Sequence, residues 1–318
     1  MIKRFVCFVA ALAFSGAVFA QAPMALTLTH NANTVRYASQ DRVSQYFLDK
    51  EFNCNTGCDS FGLTGKKVWT NWITSGSEID DWGTNLKVNT NGVQVGSDIY
   101  SNKTTLIGLV GGYEASDYEV NGFDPSTDGK DYYFGIYGAK LFSNCVDMRL
   151  YGGYGTQRFG TVIFPDDTMT GKTFETTIEF GRRYHLNRCW SYRPFVGLDW
   201  FSNNVQANGT NNYELTQVMG RIGSDLQYTR GRWNLNGGLH YAYQLNESAL
   251  ANAVTPAIEL GRKALTLTAG TTVYLDKCQK CSLFVNYYGD YYMDRHDSID
   301  RGNHPWRHTG LIGAGYRF

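Results

Sequence analysis

"LIGAGYRF", residues 311–318, closes the sequence as if in mid-strand. Ile312, Ala314, Tyr316 and Phe318 alternate with Leu311, Gly313, Gly315 and Arg317, the period of two that belongs to a β-strand. Chain ends usually fray into polar residues, so an apolar last strand needs a neighbour to pair with and an apolar medium to face. The expectation is a sheet that closes on itself, its last strand paired with its first.

The same alternation recurs upstream. From about Lys67 there are about twelve such segments, from "VWTNWIT" (68–74) through "SLFVNYYGDYY" (282–292) to the terminal one, most close to the 9–11 residues of a tilted membrane-crossing strand. Met148 and Leu150 oppose Asp147 and Arg149; Phe174, Ile178 and Phe180 oppose Glu175, Thr177 and Glu179; Ile222 and Leu226 oppose Arg221 and Asp225. A soluble β-sandwich shares this period, so the connections decide. Short turns ("SN", "FSN", "LNR", "TRG", "DKCQK") alternate with long polar stretches such as "DYEVNGFDPSTDG" and "MDRHDSIDRGNHPW". That asymmetry belongs to outer-membrane barrels, with the short turns periplasmic. No run of 18 apolar residues offers a transmembrane helix, which leaves a closed antiparallel barrel as the spanning structure. Aromatic residues make up 15% of the chain and cluster near segment ends (Tyr113, Tyr132, Tyr133, Trp200, Tyr228, Trp233, Tyr291 and Tyr292), where interfacial girdles would use them.

The other end of the chain indicates export. In "MIKRFVCFVAALAFSGAVFA" (1–20), Lys3 and Arg4 precede an apolar run and then small residues, the order of a cleaved signal peptide. Removing those two cations tips a chain with 29 basic and 29 acidic residues slightly acidic, and no basic block argues for nucleic acid. Outside the signal stand Cys54, Cys58, Cys145, Cys189, Cys278 and Cys281, an even set that an oxidising compartment would pair. Cys54 and Cys58 would close a small loop, and Cys145 with Cys189 would join two hairpins. A zinc site shared by "CNTGC" and "CQKC" is the alternative. His296, His304 and His308 with Asp294, Asp297 and Asp300 lack a fixed ligand spacing, so a solvated loop is expected rather than a metal site. His240 faces inward with no matched nucleophile and orienting group. Neither an enzyme nor a cofactor is expected, and a barrel enzyme acting on lipid is the remainder reading.

Taken together, "VWTNW", "GVQVGSD", "IEFGRRY", "RPFVGLDW" and "RIGSDL", in that order before a terminal Phe, resemble the translocator domain of autotransporters. The resemblance runs from "VWTNW" to Phe318. It implies a twelve-stranded barrel in the bacterial outer membrane with a helix threading the pore. Residues 21–66 would supply that helix as a linker and pore segment. In "NTVRYASQDRVSQYFLDKEF" (33–52), Asn33 can cap, and Val35, Val43, Tyr46 and Phe47 recur at helical spacing among charges of both signs. Such a helix suits a charged lumen, where Asp98, Arg149, Glu179, Arg183, Asp199 and Arg221 are the expected inward partners. Gly313, Tyr316 and Phe318 resemble the signal read by the barrel assembly machinery. Residues 1–20, 21–66 and 67–318 are thus expected as signal, plug segment and barrel.

Family members carry a long secreted passenger, whereas little sequence lies here between Ala20 and the first strand. The expected role is therefore a passenger-less structural or surface-interaction protein. The alternative is a narrow channel gated by the N-terminal helix. Expected partners are outer-membrane lipids, the assembly machinery and an extracellular ligand reached through the long loops, with the protein a monomer.

Overall fold

A computed structural model describes residues 36–47, 66–81, 84–120, 123–142, 145–160, 168–207, 211–251, 263–276, 280–293 and 306–318. The signal peptide, Cys54, Cys58, Cys278 and the loop bearing His296 and His304 lie outside them. One helix, α1 (residues 36–47), precedes the strands.

The strands are β1 (Lys67–Asp81), β2 (Thr84–Ser101), β3 (Thr105–Val120), β4 (Phe123–Leu141), β5 (Val146–Gly160) and β6 (Thr168–Arg182). They continue as β7 (Trp190–Ala207), β8 (Asn211–Arg230), β9 (Trp233–Ala251), β10 (Lys263–Tyr274), β11 (Cys281–Met293) and β12 (Trp306–Arg317). Past Arg183, Tyr184–His185 prolong β6: Gly181 opposite Phe195 and Tyr184 opposite Tyr192 belong to one register. Each strand pairs antiparallel with the next, and β6 pairs with β7 to complete the ring. β12 pairs with β1 from Lys67 opposite Arg317 to Glu78 opposite Trp306. The Phe318 amide donates to the Lys66 carbonyl at 3.1 Å, so the seam is hydrogen-bonded to its last residue. The result is a closed, twelve-stranded, all-antiparallel barrel.

Alternation sorts the two faces as expected. Trp72, Val95, Phe134, Ile136, Val196 and Ile222 point outward and exposed, while Lys67, Asn71, Gln94, Glu114, Arg193 and Asn234 point inward and buried. Outward aromatics form two belts. Tyr113, Tyr132, Tyr154, Phe174 and Trp200 lie towards the long connections, and Phe142, Tyr184, Trp190, Trp233, Tyr316 and Phe318 lie towards the short turns. Tyr132 on β4 and Phe142 just past its end are separated by about 33 Å of chain, or about 25 Å of height at a tilt of about 40°, the thickness of an outer-membrane apolar band. Two of the expected girdle residues do not belong to it: Tyr133 is buried on the lumen face, and Tyr292 lines a lumen cavity. Adjacent tyrosines must take opposite faces, so of each pair in "DYY" only one can meet lipid.

The strands run well past the membrane on the long-connection side. β8 has 20 residues and β4 and β9 have 19 each, so much of what reads as polar loop is hairpin. "SGSEIDDWGTN", for example, holds the paired ends of β1 and β2, Asp81 opposite Thr84. Above the membrane the outward face meets water and carries polar residues such as Asn89, Lys130 and Arg158, so the apolar outer face that marks a membrane strand disappears. The backbone pairing continues and the inward face stays buried, as at Val88, Gln157 and Val205.

The expected bond between Cys145 and Cys189 is not formed; both thiols and that of Cys281 are free. Strand pairing pulls the two residues to different neighbours. The Cys145 carbonyl accepts from the Arg183 amide at 3.3 Å, whereas that of Cys189 accepts from Thr229 on β8 at 2.8 Å.

Inside the wall, aromatic rings lie flat over glycines of the adjoining strand. A Cβ on Gly108 would stand 2.1 Å from the Tyr137 ring, and one on Gly96 2.2 Å from that of Trp69. Trp69 Nε1 donates to Tyr137 Oη at 3.0 Å, so the two rings are joined. Gly108→Ala is expected to destabilise the folded barrel by about 1–3 kcal/mol through overpacking. Gly152→Ala, whose Cβ would meet nothing closer than 4.0 Å, should stay within about 0.5 kcal/mol. Urea titration of the heat-modifiable band measures both.

Candidate functional site: the plugged lumen

The sequence of α1, "RYASQDRVSQYF", is polar around most of its circumference, yet nearly every residue is buried. A helix of about 18 Å and three turns is marginal alone in water. Its partners come from the barrel wall and surround it on every side.

Arg42 and Asp98 form the deepest contact. Arg42 Nε donates to Asp98 Oδ1 at 3.0 Å, and Arg42 Nη2 pairs with the other carboxylate oxygen. Asp98 also accepts from Tyr137 Oη at 2.7 Å and from the Lys67 amide at 3.1 Å. A β-bulge between Asp98 and Tyr100 sends both Ile99 and Tyr100 outward and leaves Asp98 aimed at the helix. Around the rest of the lumen, Asp41 accepts from Asn286 Nδ2 at 2.6 Å and from Tyr288 Oη. Tyr37 donates to Asp290 at 2.7 Å and stacks on Tyr288 with ring centroids 4.0 Å apart. Arg36 Nη1 meets Asp199 Oδ2 at 2.8 Å, Arg149 Nη1 donates to Ser44 at 3.0 Å, and Lys67 Nζ donates to Gln45 at 2.8 Å. These partners sit on β1, β2, β5, β7 and β11, so α1 lies inside the lumen.

The direction of the helix follows from the same contacts. Tyr46, near its C-terminal end, donates to the carbonyl of Asn102 in the β2–β3 short turn at 2.7 Å. Arg36, at its N-terminal end, reaches Asp199, nine residues up β7 from Trp190. Residue 36 therefore points towards the long hairpins and residue 47 towards the short turns.

All six inward charges read from the sequence are buried in the lumen: Asp98, Arg149, Glu179, Arg183, Asp199 and Arg221. Asp98, Arg149 and Asp199 hydrogen-bond α1 directly. Arg183 stacks over the Phe47 ring at 5.6 Å, as does Arg149 on another side. Glu179 and Arg221 do not touch the helix through a hydrogen bond; they join the wall network, Arg221 Nη2 to Glu179 Oε2 at 3.4 Å and Arg221 Nε to Asp199 Oδ2 at 2.6 Å. The hub of that network, missed in the sequence, is Arg193. It binds Asp147 through Nε and Nη2 (to 2.6 Å), Glu179 at 2.6 Å and Asp225 at 3.3 Å. The signal was present, because Arg193 shares strand parity with Asp199 and Asp147 shares it with Arg149.

His240 Nε2 lies 2.9 Å from Asp225 Oδ1; both line one cavity beside α1, and His240 also lines a second. His308, expected in a loop, stands instead on β12, outward, against Tyr287 and Trp306. No group of three metal-ligating side chains occurs among the described residues. On β12, Gly313 faces the lumen under the Phe284 ring, while Tyr316 and Phe318 face out.

A family model described as "Autotransporter beta-domain" matches residues 68–288. The chain belongs to the autotransporter β-domain family. Its barrel is that of an outer-membrane translocator domain, and the family's outer-membrane setting puts the short turns on the periplasmic side. Among solved structures, the autotransporter fold is similar to the translocator domain of NalP from Neisseria meningitidis, at 15% identity and TM-score 0.55, covering 89% of this chain and 98% of that one. The β-domain of the Bordetella autotransporter BrkA matches at 19% identity and TM-score 0.54, covering 80% and 100%. The transport unit of AIDA-I from Escherichia coli matches at 12% and 0.54, covering 80% and 90%. Those identities speak for the fold alone. A search of curated proteins finds no match.

Removing one partner of the Arg42–Asp98 pair leaves the other charge buried, at a cost of about 3–5 kcal/mol. Asp98→Ala is accordingly expected to release α1 and open residues 36–47 to protease while the barrel stays folded. Arg42→Met with Asp98→Leu should recover most of the loss, and limited proteolysis of the three variants reports it.

Proposed function

We propose that this autotransporter-type barrel works as a closed, plug-bearing outer-membrane component whose role is structural or surface-interacting rather than that of an open pore. The Arg42–Asp98 pair carries the reading. A helix that merely passed through would not need a buried guanidinium met by a carboxylate that also binds Tyr137 and the wall backbone. Tall hairpins rising past the upper aromatic belt give the extracellular side a surface on which a ligand could bind. Tyr316 and Phe318, outward on the last strand, are the features the assembly machinery would read. The role is non-catalytic in this reading. Ser44, which shares a cavity with His240 and Asp225, accepts from Arg149.

The gated-channel alternative draws on the polar cavities beside α1, one reaching Asp41, Arg149 and Asp225, the other Glu175, Asp199 and Arg307. Displacing the helix would join them into a charged passage. Single-channel conductance in planar bilayers separates the two. The full-length mature protein should be silent and a variant lacking residues 21–52 should conduct. Steady conductance by the full-length protein would overturn the plug and promote the channel.

A further inference from the structure

The outward face of β4, β5 and β6 carries a feature that neither the plug nor the barrel requires. Lys130, Arg158 and Lys172 all point outward and are exposed, on three adjacent strands. Lys130 stands directly opposite Arg158 in the register. Lys172 stands opposite Thr156, two residues along from Arg158, which makes it the diagonal neighbour. Like charges opposed across a strand pair repel at about 5 Å, and no carboxylate forms an ion pair with any of the three among the described residues.

Their height gives the cluster its meaning. Lys130 and Lys172 lie one outward position above aromatics of the upper belt, Tyr132 and Phe174, and Arg158 lies two outward positions above Tyr154, with Thr156 between. Tyr132, Tyr154 and Phe174 mark the edge of the apolar band, so the cations stand at the headgroup level of the outer leaflet. Acids border the cluster without forming an ion pair with it among the described residues. Asp128 and Asp117, opposite each other, sit one step further from the membrane. Glu214 accepts from Asn204 at 2.8 Å on the far side of Lys172.

We propose that Lys130, Arg158 and Lys172 form a binding site for the phosphate groups of a phosphorylated glycolipid in the outer leaflet. The aromatic belt beneath would pack against its acyl chains and sugar, and the anion would relieve the repulsion of the Lys130–Arg158 pair. Arg158 supplies a planar two-pronged donor and the lysines supply point charges, a combination suited to phosphate. Interfacial cations add attraction to anionic headgroups in proportion to their number.

The test uses the full-length protein extracted from outer membranes in mild detergent and examined by native mass spectrometry. The expected result is a retained phosphorylated glycolipid. Its apparent affinity should fall about fivefold per cation removed, or about a hundredfold in the Lys130→Gln, Arg158→Gln, Lys172→Gln triple variant. A charge-conserving variant (Lys130→Arg, Arg158→Lys, Lys172→Arg) should keep it, and both variants should keep heat-modifiable mobility, since all three side chains lie outside the folded interior. Enzymatically dephosphorylated glycolipid should not bind, and millimolar inorganic phosphate should not displace the lipid. Equal retention by the triple variant, or equal binding of the dephosphorylated lipid, would overturn the site. Full displacement by inorganic phosphate would overturn the lipid as its occupant.

Discussion

A bilayer core offers no water to an unpaired amide, and nearly everything in this molecule follows from that. Each strand must find a neighbour on both sides, so the first and last strands must find each other. The β1–β12 seam, paired from Lys67 opposite Arg317 to Glu78 opposite Trp306, is the local solution. Closure then divides every strand into a lipid face and a lumen face. The lipid face needs only to be apolar between two aromatic belts. The lumen face inherits the polar residues and with them a second problem, because charges enclosed in a narrow barrel are costly unless matched.

The lumen answers in two layers. One is a wall network in which Arg193 joins Asp147, Glu179 and Asp225 across neighbouring strands. The other is the helix, whose Arg36, Tyr37, Asp41 and Arg42 meet Asp199, Asp290, Tyr288 and Asp98. Net stabilisation from each buried pair is modest, because desolvation offsets much of the attraction. What the pairs supply is position. A helix with an apolar surface could slide in the pore, whereas one held by named donors and acceptors has one height and one rotation.

Much of this could be read from the chain. Alternation and turn lengths disclosed the barrel, its strand number and the inward charges, because a closed sheet in lipid leaves a strict period of two. The pore helix was legible through family resemblance and through spacing such as Val43, Tyr46 and Phe47. What escaped lay where that period carries no signal. The hairpins above the membrane turn a polar outward face to water, so their paired residues read as loops. Tyr133 and Tyr292 read as girdle residues because composition does not record which face a tyrosine takes. The partner of each lumen charge depended on register across strands far apart in sequence, as with Arg193 and Asp147, and a single strand does not reveal its neighbour's register. Cys145 and Cys189, adjacent turns in sequence order, are drawn to different strands by that same register.

The central claim is that residues 36–47 form a helix locked in the lumen by its polar contacts. Amide hydrogen exchange of the folded, full-length protein in detergent tests it without altering the chain. Intramolecular bonding and burial predict that amides of residues 40–47 exchange as slowly as those of the barrel strands, over hours rather than seconds. Exchange of this segment at the rate of an unstructured peptide, with the strands still protected, would show that the helix does not occupy the pore and would contradict the account.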